Sequence, residues 1–182
     1  MRKLTWDEID RPAPHELDDL PRHPVSVVAH NIRSIYNVGS IFRTGDAARI
    51  EHIYLTGYTG TPDHKDLHKT ALGAQDVVPW SHHDAVMPVL QRLRDVGYTL
   101  AALELTDVSH PPDTLEPAHF PLALVLGNEV HGVSSDIIQV ADCALELPQY
   151  GTKQSLNVSV AFGIAVYDLV RRYRSFSNGL DS

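Results

Sequence analysis

The stretch NIRSIYNVGSIFRTGDAA, residues 31–48, follows the short apolar run VSVVA at residues 25–29. The β-branched run predicts a buried strand, and the residues after it predict a helix over 38–49. Three polar side chains stand among the small residues of this stretch, where packing alone would favour Leu and Ala. They are Arg33, Asn37 and Arg43. The stretch therefore predicts a strand–loop–helix unit that also carries groups for a ligand.

The same alternation of strand and helix continues along the chain. Further strands are predicted at residues 52–56, 98–104, 122–127 and 143–148. Further helices are predicted over residues 83–96, 134–141 and 155–174. Residues 107–121 hold four prolines and are predicted to be a loop. Strands that are apolar on both faces and alternate with helices predict an α/β fold, with a parallel, Rossmann-like sheet flanked by helices.

The 182 residues are enough for one domain of ordinary size. Residues 1–24 look like an N-terminal extension, 25–174 like the folded domain and 175–182 like a C-terminal tail. Within the extension, TWDE predicts a short helix that Thr5 and Glu8 cap together. Prolines then keep the extension extended up to the first strand.

The net charge and the cysteine content limit the range of functions and locations that fit this sequence. A net charge of −8 argues against a protein that binds nucleic acid over its whole surface. Local basic groups remain around residues 31–49 and at Arg171, Arg172 and Arg174. Cys143 is the only cysteine, so no internal disulfide can form. Together with a start unlike a signal peptide and no run long enough to span a membrane, this predicts a cytoplasmic protein.

Three polar, glycine-bearing segments follow predicted strands. They are the opening stretch, GNEVHGVS at residues 127–134 and QYGTKQSLNVS at 149–159. In parallel sheets, ligands bind beyond the carboxyl ends of the strands. These segments therefore form the candidate site.

Each candidate residue also has a simpler structural interpretation. Asn37 could cap the helix that follows it. Arg43 could extend to solvent, or it could serve a buried anion, for which its planar guanidinium is suited. Glu129 could be an exposed loop acid, or a carboxylate that orients an arginine or a loop. Capping explains Ser155 at the start of the last helix, but it does not explain Asn157 as well.

Other known motifs are weak or missing. His64 and His68 are four residues apart, but no third ligand is evident, so we expect a solvated pair and no metal site. The chain contains neither GxGxxG nor GxxxxGK[ST], so dehydrogenase and P-loop functions have no fingerprint.

Three segments, taken in order, resemble the SPOUT superfamily, in its SpoU/TrmH branch of RNA 2′-O-ribose methyltransferases. They are NIRSIYNVGSIFRTGDA (31–47), LALVLGNEVHGVS (122–134) and LPQYGTKQSLNVSVAFGIAVYDLVRR (147–172). The resemblance implies S-adenosylmethionine as methyl donor, an RNA substrate, a homodimer and a C-terminal deep trefoil knot. The knot runs against the general rule that protein chains are unknotted, and only the resemblance supports it.

The resemblance also assigns roles to residues. The catalytic set would be Asn37, Arg43, Glu129, Ser155 and Asn157. The cofactor-binding set would be Leu126, Gly127, Leu147, Leu156 and Asn157. RNA would be bound by Arg33, Arg43, Arg171, Arg172 and Arg174. The short chain favours transfer RNA over ribosomal RNA, and two alternatives stay open: a non-catalytic binding protein that keeps the knot, and a base methyltransferase of the same superfamily.

Overall fold

The computed structural model describes residues 1–9, Glu16 and residues 20–177, and its centre is a six-stranded sheet. The strands are β1 (His23–His30), β2 (Ile50–Thr56), β3 (Trp80–His83), β4 (Thr99–Leu103), β5 (Leu122–Leu126) and β6 (Cys143–Leu145). The α-helices are α1 (Ile35–Ala47), α2 (His68–Ala71), α3 (Val86–Asp95), α4 (Ser135–Val140) and α5 (Val158–Ser177). All strand pairs are parallel, in the order β3-β2-β1-β5-β4-β6. The predicted α/β class is confirmed.

Helices cover both faces of the sheet, as the doubly apolar strands require. On one face, Val27 of β1 belongs to a buried cluster that includes Phe42 of α1 and Phe162 of α5. On the other face, Val28 belongs to a second cluster with Leu90 of α3 and Ile137 of α4. Successive residues of β1 therefore point into different cores, as the period of two in a strand dictates.

The first helix begins earlier than predicted, at Ile35, because Ser34 caps it. The Ser34 hydroxyl accepts a hydrogen bond from the backbone N–H of Asn37 at 3.4 Å. Asn37 therefore lies inside the first turn, and the interpretation of Asn37 as the cap is wrong. The helix ends at Ala47, and Arg49 has a positive φ of 51°, so β2 begins two residues earlier than predicted.

Strand β3 was not predicted, and its residues lie partly where a helix over 83–96 was expected. Its sequence, WSHH, is polar and only partly buried, so it carries no apolar run to signal a strand. It is defined by its pairing with β2, where Ile53 is opposite Trp80. Helix α3 is correspondingly shorter than predicted, at Val86–Asp95.

The last two elements also differ in their bounds. Strand β6 ends at Leu145 rather than at 148, and α5 begins at Val158 rather than at 155. The residues between them form an irregular segment that returns from the edge of the sheet. Helix α5 then packs against α1 and β1. No helix in the described parts of the chain has the length and apolar character of a membrane span.

The predicted contact between Thr5 and Glu8 at the N-terminus is present. Residues Trp6–Glu8 form one 3-10 turn, and the Glu8 carboxylate accepts hydrogen bonds from the backbone N–H and the hydroxyl of Thr5 at 2.8 and 3.1 Å. The prolines predicted to extend the chain at residues 10–15, and the end of the tail at 178–182, lie outside the described residues. The division into extension, domain and tail stays a prediction.

Candidate active site

Loops from three neighbouring strand ends enclose a cavity of about 540 Å³. One wall is the segment after β5, from Leu126 to Val133, and a second is the segment that follows β6. The end of β4 contributes Glu104, and α5 contributes Ala161. The volume is typical of a small-molecule site. Two of the three predicted segments therefore line one cavity at the carboxyl edge of the sheet, and the third, the opening stretch, bonds to its rim.

Glu129 connects this cavity to the opening stretch. Its carboxylate accepts hydrogen bonds from the backbone N–H groups of Arg33 and Ser34, at 2.8 and 2.9 Å. A third bond, at 2.9 Å, comes from the side-chain amide of Asn37. Burial alone would raise the pKa of Glu129, but these donors stabilise the carboxylate and hold its pKa below the ordinary value. Glu129 therefore acts as an anion that ties its loop to the start of α1.

Asn37 also contacts the third segment. Its side-chain oxygen accepts a hydrogen bond from Nδ2 of Asn157 at 3.1 Å. Oδ1 of Asn157 in turn accepts bonds from the backbone N–H and hydroxyl of Ser159, at 2.9 and 2.7 Å. Asn157 thus takes the capping position that was expected for Ser155. The structure brings Asn37, Glu129 and Asn157 together as one connected group.

The loop after β5 is a tight turn that depends on two glycines, Gly127 and Gly132. The backbone groups of Asn128 and Gly132 exchange two hydrogen bonds, at 3.0 and 2.8 Å. A Cβ atom on Gly127 would lie 2.1 Å from the carbonyl carbon of Gly132. Gly132 itself has a φ of +67°, which favours glycine. These two glycines determine the shape of the cavity wall.

Asn128 and Glu104 are site residues that the sequence reasoning missed. Oδ1 of Asn128 accepts hydrogen bonds from the N–H groups of Val130 and His131, at 2.9 and 3.0 Å. The Glu104 carboxylate accepts a bond from the N–H of Val133 at 2.8 Å. Glu104 follows an apolar strand just as Glu129 does, so the same signal was available for it.

The predicted cofactor-binding residues lie largely where expected. Residues around the cavity include Leu126, Gly127, Leu147 and Leu156, together with Ser155 from the catalytic set. Asn157 differs, because it bonds to Asn37 and is not among the residues that line the cavity. Ser155 and Asn157, predicted together, therefore occupy different positions at the site.

Arg43 does not join the group formed by Asn37, Glu129 and Asn157. It follows Asn37 by six residues on α1, which is about 9 Å along the helix axis. Its side chain is exposed and makes no hydrogen bond or ion pair within the described residues. Within one copy of the chain, this arginine is available to an external partner.

The other predicted RNA-binding arginines differ in their surroundings. Arg33 is exposed and lies beside Glu129 through its backbone. Arg171 pairs with Asp168, and Arg172 donates to the carbonyl of Leu115 at 2.7 Å and covers the ring of Phe176. These C-terminal arginines lie about 20 Å along α5 from its start. Their geometry favours a packing role for Arg172, and RNA binding by this group stays a prediction.

Both ring nitrogens of His68 lie close to other protein groups. Its Nε2 lies 2.9 Å from the carbonyl of Pro62, and its Nδ1 lies 3.2 Å from the side chain of Gln75. Across the described residues, no group of three or more His, Cys, Asp or Glu side chains could hold a metal ion.

Known proteins are similar to this chain in both sequence and fold. The chain is 31% identical over 153 residues to a tRNA (guanosine(18)-2′-O)-methyltransferase of Aquifex aeolicus, with 80% of this chain and 68% of that protein covered. It is 27% identical to the 23S rRNA (guanosine-2′-O-)-methyltransferase RlmB of Nitrosomonas europaea, with 86% and 60% covered. The chain therefore spans about three fifths of the length of that second relative.

Solved structures agree with this relationship. The crystal structure of the A. aeolicus TrmH/SpoU tRNA modifying enzyme superposes with a TM-score of 0.77 at 30% identity, covering 86% of this chain and 78% of that one. The AdoMet-bound rRNA methyltransferase from Sinorhizobium meliloti gives a TM-score of 0.75 at 28% identity, covering 82% and 58%. The profile of the SpoU rRNA Methylase family matches residues 24–167, which is most of the chain. With its fold, its motifs and its relatives in agreement, the chain belongs to the SpoU rRNA Methylase family.

Proposed function

We propose that this protein is an S-adenosylmethionine-dependent methyltransferase that modifies a ribose 2′-hydroxyl of RNA, with transfer RNA as the favoured substrate. The observation that carries this proposal is the connected group of Asn37, Glu129 and Asn157 at the rim of the cavity. It joins the three sequence segments typical of the family at one place. The relatives named above act on 2′-hydroxyl groups of transfer or ribosomal RNA.

The cavity suits S-adenosylmethionine in shape and in charge. Leu126, at the end of β5, and Leu147, two residues after β6, offer an apolar wall for the adenine ring. The turn at Gly127 and Gly132 lets backbone groups approach the ligand closely. Glu104 and Glu129 also line the cavity, and their negative charge complements a ligand that carries a sulfonium and an ammonium group. The family also includes structures with this ligand bound.

The chemistry divides between the ligand and the chain. When bound, S-adenosylmethionine would supply an electrophilic methyl group to the ribose 2′-oxygen. The bond between that methyl carbon and sulfur would break to leave S-adenosylhomocysteine, and the hydroxyl proton would pass to water. Arg43 binds the neighbouring RNA phosphate and stabilises the negative charge that develops on the 2′-oxygen. A guanidinium holds its proton at neutral pH and is therefore a poor general base, so electrostatic stabilisation is the role we assign to Arg43. Asn37, Glu129 and Asn157 hold the loops in place around the reacting groups.

The exposed face of α5 supports a homodimer. Val160, Ile164 and Tyr167 follow one another at helical spacing and are 50%, 44% and 50% exposed. Tyr36 on the neighbouring helix α1 is also exposed, and α1 carries Arg43. A second copy of the chain that covers this apolar face would place Arg43 at or near the contact between copies.

The return path after β6 supports the predicted trefoil knot. β6 lies at the edge of the sheet beside β4, whereas α5 packs on α1 and β1 near the centre. Leu147 and Leu156 lie near the two ends of this path, and both line the same cavity as the loop that begins at Gly127. Threading of one loop through the other would let both wrap a single ligand.

We also place the protein in the cytoplasm, where its RNA substrates are found.

A methyl-transfer assay tests the function directly. The purified protein is incubated with S-adenosylmethionine labelled in its methyl group and with total transfer RNA or ribosomal RNA. We expect label in RNA, recovered after alkaline hydrolysis in a resistant 2′-O-methyl dinucleotide. S-adenosylhomocysteine should inhibit the reaction. Label recovered only in mononucleotides would identify a base methyltransferase, and saturable ligand binding without any transfer would identify a non-catalytic protein.

A further inference from the structure

Tyr58 is a large aromatic side chain that is exposed and yet held at two points. It is 62% exposed and lies in the loop that follows β2. Its backbone N–H donates to Oδ1 of Asn31 at 3.2 Å, and its hydroxyl accepts a bond from Nδ2 of Asn128 at 2.8 Å. Fixing an exposed side chain in one position costs conformational entropy, so holding a tyrosine in this way stabilises the folded chain little. The arrangement therefore calls for a function of the ring itself.

The backbone around Tyr58 is built to hold it there. Gly57 has a φ of +66°, and its N–H donates to the carbonyl of His83 at 3.0 Å. A Cβ atom on Gly57 would lie 2.1 Å from Oδ1 of Asn31, the same atom that accepts the bond from Tyr58. Asn31 also has a positive φ, of 56°, and its Nδ2 lies 2.9 Å from the ring of His30. The position of Tyr58 is thus fixed by neighbours with restricted conformations.

The location of Tyr58 connects it to the candidate active site. Asn128, which binds its hydroxyl, lines the cavity and immediately precedes Glu129. Asn128 also donates to the carbonyl of Asn31 at 2.9 Å, so both contacts of Tyr58 belong to one rigid unit. The exposed side chain of Arg33 belongs to the same edge, because its backbone N–H binds Glu129. An aromatic ring at this rim is positioned to meet a ligand larger than the cavity.

We propose that Tyr58 is a stacking platform for an unpaired base of the RNA, next to the nucleotide whose ribose enters the site. Proteins recognise single-stranded RNA by stacking its bases on aromatic side chains, and a platform held rigid before binding loses little entropy when the base arrives. One platform with few charges suits a protein whose net charge is −8, because stacking needs no basic surface. This inference rests on the proposed function, since it assumes an RNA substrate.

The experiment compares three variants of the full chain: Tyr58→Leu, Tyr58→Phe and Tyr58→Trp. Binding of fluorescein-labelled total transfer RNA is measured by anisotropy in the presence of S-adenosylhomocysteine, and methyl transfer is measured separately. Loss of one base–aromatic stack weakens binding by roughly 10-fold, so Tyr58→Leu should raise Kd and KM for RNA by about that factor. Tyr58→Phe and Tyr58→Trp keep a ring and should stay within about 3-fold of wild type. Affinity for S-adenosylhomocysteine should be unchanged in all three.

The alternative is that Tyr58 only braces the loop through its hydroxyl. In that case Tyr58→Phe would be as damaging as Tyr58→Leu, and affinity for S-adenosylhomocysteine would fall too. That result would overturn the proposal, as would wild-type RNA affinity in Tyr58→Leu. If the wild type binds RNA without methylating it and Tyr58→Leu loses that binding, the platform stands and the proposed reaction fails. A wild type that binds no RNA would overturn both.

Discussion

Glu129 and Arg43 are both charged residues of the predicted catalytic set, but their surroundings in the folded chain differ. The carboxylate of Glu129 accepts three hydrogen bonds from residues near the start of α1. The guanidinium of Arg43 makes no hydrogen bond or ion pair within the described residues. A charged side chain without partners contributes little to stability, so any importance of Arg43 must come from a partner outside the protomer.

We expect Arg43→Ala to lower kcat for methyl transfer by roughly 100- to 1,000-fold, because it removes a group that stabilises charge in the transition state. The free energy of unfolding should change by less than about 0.5 kcal/mol, since the side chain is exposed. Arg43→Lys should not restore activity, because an ammonium lacks the planar guanidinium. Steady-state kinetics and thermal melts measure the two effects.

Arg92→Ala is the matched control, since Arg92 is an exposed arginine on α3, on the other face of the sheet. We expect it to leave both kcat and stability close to wild type. Near wild-type turnover in a folded Arg43→Ala protein would end the catalytic assignment of Arg43.

The sequence could predict single site residues better than their contacts. Asn37, Glu129 and Asn157 stand out because each is a polar residue in one of the three segments that follow predicted strands. The bond between Asn37 and Asn157 joins residues 120 positions apart and needs the fold to be known. The sequence does not single out Tyr58, because aromatic residues are common in glycine-rich loops. Only its bonds to Asn31 and Asn128, which the fold creates, distinguish it.

At the level of elements, the turn between β5 and α4 determines the wall of the cavity. Gly127→Ala would place a Cβ atom 2.1 Å from the carbonyl carbon of Gly132, and a backbone atom cannot move away by changing rotamer. We expect a loss of about 1–3 kcal/mol in the free energy of unfolding, as is typical of overpacking. Binding of S-adenosylhomocysteine, measured by calorimetry, should weaken as well.

Gly151→Ala is the control for this change, because a Cβ atom there would meet nothing within 4 Å. It should leave both stability and binding unchanged. Equal affinity of Gly127→Ala and wild type for S-adenosylhomocysteine would place the ligand elsewhere.

The edge formed by β2 and β3 carries a chain of histidines that makes stability depend on pH. Nε2 of His52 lies 3.0 Å from the hydroxyl of Ser81, which lies 3.0 Å from Nε2 of His83. Burial, together with the neighbouring His83, lowers the pKa of His52 to about 4. Burial also lowers the pKa of His83. Both imidazoles are therefore neutral in the folded protein at neutral pH.

We expect the free energy of unfolding to fall as pH decreases from about 6.5 towards 4. In the unfolded chain these histidines take up protons near the ordinary pKa of about 6.5, whereas in the folded chain they take up protons only at lower pH. His52→Gln should reduce the slope over this range, as measured by urea unfolding at several pH values. A His64→Gln protein is the control for the substitution itself, because it removes an exposed imidazole that lies outside β2 and β3. An equal slope in His52→Gln would contradict the assignment.

Element positions were predictable where the residues themselves encode them. Strand β5 is apolar along its length and β1 contains the apolar run VSVVA, so the positions of both strands follow from the sequence. Helix starts were missed by three residues because caps set them, and the caps Ser34 and Asn157 compete with nearby polar residues of the same type. Strand β3 could not be predicted from its own residues, since only its pairing with β2 defines it.

At the level of the whole molecule, the apolar face of α5 gives a test of the proposed homodimer. Ile164→Asp places a charge in the middle of that face, where a second copy would have to desolvate it. We expect the variant to be a folded monomer by light scattering at micromolar concentration, with methyl transfer reduced at least as much as dimerisation. Circular dichroism confirms the fold, because Ile164 is 44% exposed and its replacement leaves the core intact.

Val96→Asp is the control, because Val96 is also an exposed apolar residue, at 65%, but follows α3 on the other side of the sheet. It should keep the mass of the wild type. A wild-type protein that is monomeric at these concentrations would disprove the homodimer.

The order of the strands has a consequence for how the chain folds during its synthesis. β1 is the first strand to leave the ribosome, and it pairs with β2 soon after. Its other neighbour, β5, is opposite it from Val25–Leu122 to Ala29–Leu126, so about one hundred residues of translation separate the two. Throughout that interval one edge of the buried strand β1 has no partner strand, and an unpaired strand edge is the kind of surface that chaperones cover and that aggregation uses. Non-local pairing of this kind forms slowly, so the yield of folded protein depends on the time between the synthesis of β1 and its pairing with β5.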